Sequence, residues 1–118
     1  MEPKSAVLSL SQGEKVKAGL IWASQGLAVL EGMDGVERSG GIRIIRMLVA
    51  MIENEVGLAK SITQDPSWDE IPPVLERAAV MMDSGVPVEA NTHLSTALSK
   101  TTGILQRAMT YLREKDLA

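Results

Sequence analysis

The sequence predicts an all-α fold: a four-helix bundle, up-down-up-down, built from two helical hairpins with a short third helix. Three observations predict it. Apolar residues recur every three or four positions through long segments, the spacing that lines one face of a helix. Clusters of glycine and proline at 32–41, 65–73 and 83–87 separate those segments. No segment alternates apolar and polar residues as a half-buried strand does. The whole chain, 1–118, is read as one domain, the usual size for a single core.

The first helix is expected to open at Ser11. Ser11 followed by Glu14 is a capping-box pattern, in which hydroxyl and carboxylate satisfy amides that have no helical partner. Val16, Leu20, Ala23, Leu27 and Leu30 then share a face. Residues 1–10 are read as a loosely ordered arm, with a short turn or strand within 3–10 as the alternative.

The second helix is expected from about Gly41 to Ser61. Ile42, Ile45, Val49, Ile52, Val56 and Ala59 form one stripe; Ile44, Leu48, Met51, Leu58 and Ile62 form a neighbouring one. Two adjacent stripes predict a wide buried face and make this the central helix. Glu55 interrupts the second stripe. It is expected to reach solvent at the stripe's edge or, if buried, to pair with Lys100, Arg107 or His93 of the fourth helix.

The third helix should start at Pro72-Pro73, since proline suits the first turn, and stop at Gly85. A short turn at 66–71, capped by Asp65, should precede it. The fourth begins at Pro87–Val88 and carries Ala90, Leu94, Ala97, Leu98, Thr101, Leu105, Ala108 and Leu112 inward. It outruns the third. Its far part, Ile104–Leu112, must be covered by the 62–71 connection with Trp68 or by a second subunit.

Composition narrows the function. With 45% apolar and 23% charged residues the chain is globular in character, and a net charge of −3 gives nucleic-acid binding no electrostatic support. The absence of cysteine removes disulfides, thiolate metal sites and a cysteine nucleophile. The run Ile42 to Ile52 falls short of the roughly 20 residues needed to span a bilayer. The reading is a cytoplasmic protein with neither a membrane nor a nucleic acid as partner.

The residues with chemical potential are few. His93 is the sole histidine, and Glu89 lies one helical turn before it. Bundle metal sites need more carboxylates and a second histidine. Histidine phosphotransfer domains are similar in class and size only: their His-x-Leu-Lys-Gly pattern is absent, since Leu94-Ser95-Thr96 follows His93. Glu55, Glu89, His93 and Lys100 make up the candidate polar site. The hydroxyls between Thr92 and Thr102 are read as self-satisfied helix residues, because a nucleophile needs an activating base and none is visible. The glycines at 32–41 lack the ending of a phosphate loop.

No catalytic residue, metal or cofactor is predicted. The expected function is a non-enzymatic helical protein–protein interaction module, homodimeric, with Trp22, Trp68, Ile104, Met109 and Tyr111 as candidate interface residues. The alternatives are a phosphotransfer or small-enzyme role at His93, and an apolar-ligand carrier. The carrier would use an interior lined by Met47, Met51, Met81, Met82 and Met109.

Overall fold

The computed structural model describes residues 1–117. Four α-helices account for most of them: α1 (Pro3–Leu30), α2 (Gly35–Thr63), α3 (Pro72–Asp83) and α4 (Pro87–Glu114), with a 3-10 turn at Pro66–Glu70. Each helix packs on the next in sequence, and α4 closes the ring against α1. The diagonals stay apart: no Cα of α2 lies within 8 Å of one in α4. This is the four-helix bundle the periodicity predicts, drawn out to 54 × 21 × 17 Å.

Helix α1 starts eight residues earlier than the capping-box pattern suggests. Pro3 occupies its first turn, and Ser11 and Glu14 are interior helix residues. The loosely ordered arm expected at 1–10 is therefore helix. Ala6, with partly buried Leu10, packs against Ala108 and Leu112 of α4, with Tyr111 at the edge. Burying that patch outweighs the local preference for a cap, which is worth about 1 kcal/mol. The same contact answers what covers the far part of α4: the start of α1 does, together with Trp68.

Glycine lets α1 approach its neighbours. A Cβ at Gly13 would lie 2.5 Å from Leu105 Cδ2 and 3.6 Å from the Trp68 ring; at Gly19 it would meet Ile52, and at Gly26, Ile45. The Gly19–Ile52 and Gly26–Ile45 pairs fix the α1–α2 hairpin as antiparallel, with residue numbers of facing positions adding to about 71.

The turn after α2 matches its sequence reading. Gln64 adopts φ 58°, and Asp65 Oδ1 accepts a hydrogen bond from the Ser67 amide at 2.9 Å. Lys60 of α2 pairs with Asp69, and Lys100 of α4 with Glu70 at 3.6 Å. Two helices thus strap the turn down and hold Trp68, 0% exposed, inside the bundle. Its indole N–H has no hydrogen-bond partner among the described residues. After α3, Gly85 takes φ 78°, a conformation that suits glycine, and Pro87 opens α4.

Candidate interaction surface

The wide buried face expected of α2 is only half buried. Ile45, Val49, Ile52, Val56 and Ala59 are in the core. Of the second stripe only Leu48 is partly covered; Ile44 is 63% exposed, Met51 54%, Leu58 47% and Ile62 39%. A step of one residue turns the helix by about 100°, and in a four-membered ring each helix has just two neighbours. The inner stripe of α2 meets α1 and α3, and the outer one faces water. Helix α2 is thus a corner of the ring, not its centre.

Met47 also stands on this outer face. Trp22 of α1, 63% exposed, borders it. Lys15 and Trp22 are two turns apart on one side of α1, and Lys15 reaches Glu55 across the hairpin at 3.5 Å. By the same antiparallel register Trp22 lies level with Leu48. At ordinary side-chain areas the exposed parts of Trp22, Ile44, Met47, Met51, Leu58 and Ile62 come to roughly 700 Å². The largest apolar patch on a typical monomer is about 300–600 Å².

Glu55, the one acid within this stripe, turns aside. Gln12 Nε2 donates to its carboxylate and, at 3.0 Å, to its main-chain oxygen, and Lys15 adds its charge. The partner expected on the fourth helix is corrected to these two α1 residues. Lys100, Arg107 and His93 sit on α4, across the diagonal from α2, and cannot reach it.

The candidate polar site does not assemble. Lys100 is engaged with Glu70, and Glu89 is exposed with no ion pair among the described residues. His93 is half-buried in an open groove between α3 and α4, beside Pro73, Glu76, Arg77, Val80 and Met81. Its imidazole forms no hydrogen bond or ion pair within the described residues. No cluster of three metal-ligating side chains occurs among them either. Thr92, Thr96, Thr101 and Thr102 bond back to the carbonyl four residues earlier, as the structural reading of that stretch requires.

The candidate interface residues also separate. Trp22 is on the surface as expected. Trp68 and Ile104 are core residues at 0% and 1% exposure, and Met109 and Tyr111 are half-buried on α4. Trp68 is buried because α3 is too short to close its side of the ring, and the indole fills that opening. The methionines do not share an interior: Met82 is buried, Met81 and Met109 are half-buried, and Met47 and Met51 are exposed. Sequence reasoning missed the outer stripe of α2 as surface. The signal was there: an apolar arc wider than two neighbours can cover.

No helix among the described residues is long and apolar enough to cross a membrane. No protein-family model, curated protein or solved structure matches the chain.

Proposed function

We propose that this protein is a helical interaction module whose working surface is the outer face of α2 with Trp22 beside it. The exposed apolar area of that face carries the reading. Aliphatic and methionine side chains in helical register, flanked by an exposed tryptophan, match the composition of interface cores, where charge is depleted and aromatic and methionine residues are enriched. The one acid within the stripe is drawn off toward α1, which lowers the cost of covering it. The ridged shape of a single helix favours another helix as the partner, seated ridge into groove.

Thiol labelling tests this. The chain has no cysteine, so Met51→Cys and Ser99→Cys each place a single thiol on an exposed helix position. In an extract of the host cell, the Met51→Cys protein is expected to react with a maleimide several-fold more slowly than the Ser99→Cys protein. Equal rates for the two variants would sink the interaction reading.

A further inference from the structure

The partner surface is written into α2 itself. Ile44, Leu48, Met51, Glu55, Leu58 and Ile62 are spaced four, three, four, three and four residues apart. That series reads the same in both directions. The side chains mirror as well: isoleucine ends the stripe on each side, leucine comes next, and Met51 and Glu55 flank the midpoint. A two-fold axis pairs each residue of one copy with its mirror position in the other, and on this face an antiparallel second copy would set isoleucine against isoleucine and leucine against leucine, apolar against apolar along most of the stripe.

On these grounds we infer that the occupant of the outer face is a second copy of this chain, α2 against α2, antiparallel about a two-fold axis midway between Met51 and Glu55. The inference rests on the interaction-module reading and names its partner. In this register Ile44 faces the second copy's Ile62, and Leu48 faces its Leu58. Met51 covers the second copy's Glu55, whose carboxylate Gln12 and Lys15 already hold to the side. Trp22, level with Leu48, sits beside the second copy's Leu58 and seals the edge.

Area agrees with this. The roughly 700 Å² of exposed apolar side chain is close to the ~800 Å² that each partner contributes to a standard stable interface. A net charge of −3 on each copy opposes association only weakly.

The test combines sedimentation of the purified chain with cysteine cross-linking. The chain is expected to sediment as a dimer. An equal mixture of Ile44→Cys and Ile62→Cys proteins should link across a short bis-maleimide, whereas either variant alone should not. Leu58→Glu should weaken the dimer by roughly tenfold or more while its circular dichroism stays that of the parent. A dimer that links position 44 to position 44 overturns the proposed pairing. A chain that stays monomeric at high micromolar concentration also overturns it. If the Met51→Cys thiol is then still protected in host extract, the second copy is ruled out and the interaction module stands; if that thiol is reactive there too, both readings fall.

Discussion

The opening beside the 3-10 turn and the outer face of the α1–α2 hairpin each hold one of the chain's two tryptophans. Both rings lie off the main apolar stripe of any helix. One is 0% exposed and the other 63%. The difference comes from what the connections leave open. Helix α3 has 12 residues against 28 for α1 and α4, so its side of the ring has a vacancy. The turn drops Trp68 into it, and Gly13 makes room on the opposite wall. At Trp22 there is no vacancy, because Gly19 and Gly26 already bring α1 and α2 into contact. A side chain's hydrophobicity does not decide its burial; the gap the topology leaves does.

Truncating both rings separates the two environments. Trp68→Ala should cost about 3–5 kcal/mol, the range for removing a large buried aromatic side chain. Trp22→Ala should change stability by less than about 0.5 kcal/mol, as surface changes do. Urea denaturation at concentrations low enough to keep the chain monomeric reads both. Comparable losses would mean that Trp22 is covered within the monomer.

Glycine gives a second contrast. A leucine at Gly13 must displace Leu105 and press on Trp68, so Gly13→Leu should lose about 1–3 kcal/mol to overpacking. Gly57 lies on the exposed side of α2, where an added methyl group would meet nothing within 4 Å. There Gly57→Ala should gain up to about 1 kcal/mol from helix propensity. Thermal unfolding ranks the two against the parent, and a gain at Gly13 would show that the wall opposite Trp68 is loosely packed.

These contrasts also mark how much was legible. The number and order of the helices, the Asp65 cap and the stop at Gly85 follow from local rules of periodicity and capping, and they match the structure; α2, however, begins at Gly35 and not near Gly41, so that Gly40 and Gly41 lie inside the helix they were expected to precede. The start of α1 did not match either, because Ser11 and Glu14 are a genuine local signal that loses to a distant one: Ala6 and Leu10 meet α4 about a hundred residues away in sequence. Helix α2 was misread for a different reason. Periodicity reports how wide an apolar arc is, whereas burial depends on how many neighbours surround it. Glu55 is part-exposed at the edge of the stripe, as its position implied, but its partners Gln12 and Lys15 could be named only once the ring order was known. His93 looked noteworthy because it is the sole histidine, yet among the described residues its ring has no hydrogen-bond or ion-pair partner.

The smallest expected effect lies on the opposite edge of α2, where Glu53 faces α3. Glu53 and Glu55 are two residues apart and meet contrasting company. Glu55 has Lys15 and Gln12. Burial raises the pKa of Glu53 above the ordinary glutamate range, and the Glu76 carboxylate of α3 raises it further; Arg46 opposes this but is also engaged with Asp83 at 3.1 Å. A raised carboxyl pKa means that the folded chain holds its proton to higher pH than the unfolded chain does. Stability therefore falls as pH rises through the interval between the two values, and the deficit persists above it. Glu53→Gln removes the charge and with it the deficit. Because the group is largely solvated, the gain at neutral pH should be small, about 0.3 kcal/mol, and it should vanish in acid, where both states are protonated. Urea midpoints of parent and variant across that pH range measure it. A variant that is less stable at neutral pH would show that Arg46 outweighs burial and Glu76, and that the α2–α3 seam is held by charge as the Glu55 side is.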